Sequence, residues 1–142
     1  MKKPFMIHFR SLYVVDTFMK IMVNRVRTGE WHVPEITPDE LYDLMNSNKT
    51  PLLLYNLRLV GEDGLIPGIK RIHTRKLIGY LERLQSYKDK PIVNVCGGGG
   101  MSMIATEIMI QAGFKDVKSL NGGMTLWNKK GYPIINYKHR EE

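Results

Sequence analysis

Two runs constrain what this chain can fold into. Leu52-Leu53-Leu54-Tyr55 is apolar without interruption, and Ile92-Val93-Asn94-Val95 is β-branched almost throughout. A strand with one wet face alternates apolar and polar residues. A continuous apolar run of this length instead suits a strand buried on both faces, as in a parallel sheet. Parallel neighbours need crossover connections, usually helices, and helical patterns stand on both sides of these runs.

The clearest helix start is Thr37-Pro38-Asp39-Glu40-Leu41. Thr37 can cap, Pro38 suits the first helical position, and Glu40 completes a capping box three residues after Thr37. Leu41, Leu44 and Met45 then form its buried stripe. A second helical run spans Leu77 to Leu84, with Leu77, Tyr80, Leu81 and Leu84 on one side. A third spans Ser102 to Gln111, with a stripe of Ile104, Ala105, Ile108 and Met109, and Gly113 ends it. Phe114, Val117 and Leu120 mark a short strand region. Met124, Leu126 and Trp127 belong to a last short helix stopped by Pro133. Ile69 to Ile72 reads as a short edge-like run. Strands alternating with helices predict an α/β fold with a mostly parallel sheet flanked by helices.

At 142 residues one domain is the simplest organisation. Residues 1–33 read as an extension, residues 34–137 as the main domain, and residues 138–142 as a basic, polar tail. In the extension Leu12, Val15, Phe18, Ile21, Met22 and Val26 recur at helical spacing. Such a helix can pack on the domain or on a second copy of the chain as a homodimer. Being basic, it can also lie on an acidic membrane surface. Met1-Lys2-Lys3 opens like a secretory leader, but His8, Arg10, Asp16 and Lys20 interrupt the apolar residues that follow. No run approaches the ~20 apolar residues of a membrane span.

The net charge of +7 is spread without a dense basic block, and no nucleic-acid motif accompanies it. The single cysteine, Cys96, excludes an intramolecular disulfide and a zinc site of several thiolates. Histidines are scattered, so no metal site is expected. A lone thiol is best protected in a reducing compartment, which makes the cytoplasm the expected location.

Cys96 ends the second strand, and Gly97, Gly98, Gly99 and Gly100 follow, then Met101 and the helix start at Ser102. Open α/β sheets place ligands at the carboxyl ends of their strands. A glycine run there lets successive amides turn inward at a helix N-terminus, where negative charge is favoured. Such a loop suits an anionic sulfur, a phosphate or an oxyanion. The same residues also allow a buried, inert sulfur beside a permissive turn.

Other residues turn these alternatives into a resemblance. Cys96, Gly99, Ser102, Ala105, Ala112-Gly113-Phe114, Val117, Leu120, Gly122-Gly123, Trp127 and Gly131-Tyr132-Pro133 resemble the C-terminal half of the rhodanese-like (sulfurtransferase) family. Ile36, Glu40-Leu41 and Leu44 resemble its first helix. Leu54-Tyr55-Asn56-Leu57-Arg58 resembles its first core strand and following Asp-x-Arg. Gly64-Leu65-Ile66-Pro67-Gly68 resembles its Gly-His-Ile-Pro-Gly motif. The resemblance covers residues 34–135 and implies the family's three-layer fold. It implies a sulfurtransferase or sulfane-sulfur carrier in which Cys96 forms a persulfide and passes sulfur to a thiol or other nucleophile. The amides of Gly97, Gly98, Gly99, Gly100, Met101 and Ser102 would hold the anionic sulfur, with Arg58 as a further anion-binding residue. Neither metal nor organic cofactor is implied. The partners implied are a sulfane-sulfur donor and a thiol acceptor, small molecule or protein.

Four departures bear on that function. Met101 stands where the family often has arginine or lysine, which argues against a small oxyanion donor. Asn56 replaces an aspartate. Leu65 replaces the motif's histidine, which predicts a trimmed, more apolar rim. Gly97, Gly98 and Gly100 remove side chains from the loop. Relatives with phosphatase chemistry place an arginine at the sixth position after the cysteine, and here that position is Ser102. A non-catalytic interaction or redox-sensing domain is the alternative.

Overall fold

The computed structural model describes residues 3–30, 32–57 and 64–136. Its elements are α1 (Lys3–Thr28), β1 (Glu35–Ile36), α2 (Pro38–Met45), β2 (Leu52–Tyr55), β3 (Lys70–Arg71), α3 (Thr74–Tyr80), β4 (Ile92–Val95), α4 (Gly100–Gln111), β5 (Val117–Leu120) and α5 (Gly123–Lys129). The five strands form one sheet in the order β1-β5-β4-β2-β3, and every pairing between them is parallel. The two apolar runs are its centre. Leu52 to Tyr55 pairs residue by residue with Ile92 to Val95.

Because successive strand residues point to opposite faces, the central runs feed two cores. Leu54 and Ile92 join Leu77, Ile104, Ala105, Ile108 and Met109 on one side. Leu53, Tyr55, Val93 and Val95 join Leu41, Leu120, Met124 and Trp127 on the other. The sheet is therefore the middle of three layers, with α3 and α4 on one face and α2 and α5 on the other. Helix α1 lies against α3 and α4, and its Ile21 enters the first core.

The start of α2 follows the sequence. Thr37 Oγ1 accepts from the Glu40 amide at 3.1 Å, and Glu40 Oε1 accepts from the Thr37 amide at 2.9 Å. The run from Leu77 to Leu84 departs from a single helix. It tightens into a 3₁₀ segment from Leu81 to Tyr87, and Tyr80, expected on the apolar side, is exposed beneath the Arg83 guanidinium. Leu65 is a second departure. It is wholly buried and makes an antiparallel bridge with Ile135, so it is a core residue rather than part of a rim. His73 caps α3, its Nδ1 accepting from the Arg75 amide.

Candidate active site

Strand β4 ends at Val95, and the next residue carries the thiol. The loop it enters is held from three directions. Below it lies β4, and after it comes the start of α4. Beside it stands α5, whose Met124 amide donates to Cys96 O at 2.8 Å and whose Thr125 amide donates to Gly97 O at 3.0 Å. Thr125 Oγ1 donates to Gly97 O as well. A Cβ on Gly123 would sit 2.3 Å from Cys96 O. Only glycine at 123 lets α5 approach this closely, while a Cβ on Gly122 would sit 2.4 Å from Leu126 Cβ.

Within the loop, Gly99 adopts φ +102° and caps α4. That turn swings its amide back onto Cys96 Sγ at 3.1 Å, while the Ser102 amide reaches the same sulfur at 3.4 Å. Two of the six expected amides therefore converge on the sulfur, both at the first turn of α4, where the helix dipole adds positive potential. The thiol is 2% exposed and donates to Ser102 Oγ at 3.4 Å. Gly97, Gly98 and Gly100 have no left-handed φ. A Cβ on Gly98 or Gly100 would meet nothing within 4 Å, so these two glycines strip the rim bare rather than shape the turn. Met101 is half-buried and packs against the first core. Arg58 lies outside the described residues.

A buried polar chain under the loop was not legible from sequence. Ser102 Oγ and Ser119 Oγ, from α4 and β5, are 2.6 Å apart. Thr106 Oγ1 donates to Ser102 O at 2.8 Å and accepts from Asn94 Nδ2 at 3.2 Å. Asn94 Oδ1 in turn accepts from Asn56 Nδ2 at 3.2 Å. All five residues are fully buried. Buried polar groups require partners, and along this path from Asn56 to the sulfur the side chains supply them, except that Asn56 Oδ1 has none among the described residues. The signal available was polar residues inside otherwise apolar strands, Asn94 and Ser119. On the opposite face, burial pushes the Tyr55 hydroxyl above its ordinary value, the Cys96 sulfur adds to that rise, and Arg71 opposes it. Arg71 is in register with Tyr55 at the end of β3.

The model of the rhodanese-like domain matches residues 37–130. The chain belongs to the rhodanese-like domain family. Among similar proteins is a tRNA uridine(34) hydroxylase from Arthrobacter sp., 28% identical over 78% of this chain and 40% of its own length. A thiosulfate sulfurtransferase GlpE from Pseudomonas paraeruginosa is 37% identical over 49% of this chain and 61% of its own. The chain thus spans less than two thirds of either relative. A solved thiosulfate sulfurtransferase from Pseudomonas aeruginosa shares the fold over 87% of this rhodanese-like chain and 23% of its own, with TM-score 0.70 and 21% identity. No helix among the described residues is long and apolar enough to cross a membrane.

Proposed function

We propose that this protein is a sulfane-sulfur carrier that works through a persulfide on Cys96. The observation that supports this most is the pair of amides from Gly99 and Ser102 aimed at one sulfur. Backbone donors fixed by a helix start are preorganised for negative charge and need no reorganisation when it develops. The chemistry is two displacements. The Cys96 thiolate attacks the outer sulfur of a donor persulfide. The donor's S–S bond breaks, its thiolate leaves, and the outer sulfur stays on Cys96 as a persulfide. An acceptor thiolate then attacks that sulfur, and the Cys96 thiolate leaves. No net oxidation occurs, so no redox partner is needed. The similarity to a protein named thiosulfate sulfurtransferase supports the reaction class.

The donor is an organic persulfide, on a protein or a small thiol, rather than thiosulfate. Met101 brings no cation to the loop, and its side chain is turned to the core. Gly98 and Gly100 leave a rim without side chains, which suits a broad donor surface. A reducing compartment such as the cytoplasm keeps both thiols available. The test compares donors. Glutathione persulfide is expected to load Cys96 faster than thiosulfate does, and Met101→Lys is expected to narrow that gap. Faster loading from thiosulfate would overturn the donor assignment. A second reading, a redox-sensing or interaction domain, is favoured by the 2% exposure of Cys96. It predicts no loading from either donor.

A further inference from the structure

Helix α1 shows two contrasting faces. On one, Thr17 and Ile21 are buried against the domain. On the other, Val15, Phe18, Met19, Val23 and Val26 are 44–82% exposed. Their spacing of three and four residues sets them in one stripe along the helix. A helix that only covers a core carries polar residues on its outer face. Here that face is apolar over three turns, and a contiguous exposed apolar patch marks a place where something binds.

A groove borders the stripe. A space of about 340 Å³ between α1 and α4 is lined by Met19, Ile21 and Val23. Lys20, Asn24, Glu107 and Gln111 also line it, and Glu107 accepts from Gln111 Nε2 at 2.9 Å. The apolar surface therefore stops at this groove, where α4 presents Glu107 and Gln111.

Charge identifies the occupant. Helix α1 contains Lys3, Arg10, Lys20, Arg25 and Arg27 against one carboxylate, Asp16. At 3.6 residues per turn, Lys20 and Arg27 fall along one edge of the stripe and Arg25 along the other. Asp16 is paired with Lys20 at 3.3 Å. An apolar stripe edged by cations on both sides is complementary to a layer of apolar chains beneath anionic headgroups. Long basic side chains reach headgroups while the apolar residues dip below them. A second copy fits less well. It would bring a chain of the same +7 charge. Five partly exposed side chains on one helix also fall short of the ~800 Å² that each partner gives to a standard protein interface. A bilayer surface conforms to a convex ridge and sets no such threshold.

We propose that α1 docks this protein in the plane of an anionic membrane surface, with Val15, Phe18, Met19, Val23 and Val26 entering the lipid and Lys20, Arg25 and Arg27 on the headgroups. The claim goes beyond sulfur transfer and does not depend on Cys96.

The test is co-sedimentation of the full chain with phosphatidylcholine vesicles, with and without phosphatidylglycerol, at low and high salt. Binding is expected on the mixed vesicles, close to background on phosphatidylcholine alone, and reduced by salt. Val26→Glu changes the most exposed residue of the stripe, so folding is expected to survive, as circular dichroism would verify. It is expected to weaken binding by about tenfold. Arg27→Gln is expected to weaken it by about fivefold and to flatten the salt dependence. Equal recovery with both vesicle types would overturn the proposal. So would full binding by a folded Val26→Glu variant. A wild-type dimer in analytical ultracentrifugation that Val26→Glu converts to monomer, with no vesicle binding by either, would assign the stripe to a second copy instead.

Discussion

Four consecutive glycines look alike in sequence and differ in place. Gly99 bears a left-handed φ of +102°, and a Cβ there would come within 3.3 Å of the Gly122 nitrogen. Gly98 has neither constraint. The two alanine variants should therefore separate. Gly99→Ala is expected to lose about 1–3 kcal/mol in urea unfolding and to disturb the amide that reaches Cys96. Gly98→Ala should stay within about 0.5 kcal/mol of wild type. Equal effects would mean that the turn is not held as described. The sequence marked the loop as a cradle, but a glycine run cannot say which residue takes positive φ. That is decided by α5, whose close approach depends on Gly123, distant in the chain.

Among the elements, α2 was the most legible, since a capping box is local and its two bonds join residues three apart. Thr37→Ala is expected to cost about 1 kcal/mol in thermal or urea unfolding. Glu40 carries a pH signature. Bonds from the Thr37 backbone and then its side chain hold the Glu40 carboxyl below its ordinary range. A lowered folded value means that this contribution is present above the unfolded value and is lost as pH falls through the folded one. Glu40→Gln should remove that part of the acid dependence, read as the difference in urea midpoint between neutral and acidic pH. The strands Leu52–Tyr55 and Ile92–Val95 were legible because burial on both faces leaves a continuous apolar run. The 3₁₀ segment after α3 was not, because a helical stripe and a 3₁₀ run of similar length share their apolar spacing. The polar chain from Asn56 to Ser102 was hidden for another reason. Its members are far apart in sequence, and only the sheet and α4 bring them together.

Across the whole molecule, one tie joins the front of α2 to the segment after α5. The Tyr132 hydroxyl donates to Asp39 Oδ1, Lys130 Nζ lies 3.3 Å from Asp39 Oδ2, and the Tyr132 ring stacks on Tyr42 at 4.6 Å. The bond to Asp39 pushes the Tyr132 hydroxyl up to about 12 from 10.0. A raised folded value contributes stability that is full below the unfolded value and is lost as pH rises through the folded one. Wild type should therefore lose part of its stability between about pH 10 and about pH 12. Tyr132→Phe keeps the ring and should show less of that loss, measured by urea midpoints along an alkaline series. The same scale carries the functional claim, because β4, α4 and α5 all meet at the Cys96 loop. Mass spectrometry after incubation with glutathione persulfide tests that claim most directly. The account predicts a gain equal to one sulfur atom, reversed by a thiol acceptor and absent in Cys96→Ser. A wild-type chain that gains no sulfur, or a Cys96→Ser chain that gains as much, would contradict it.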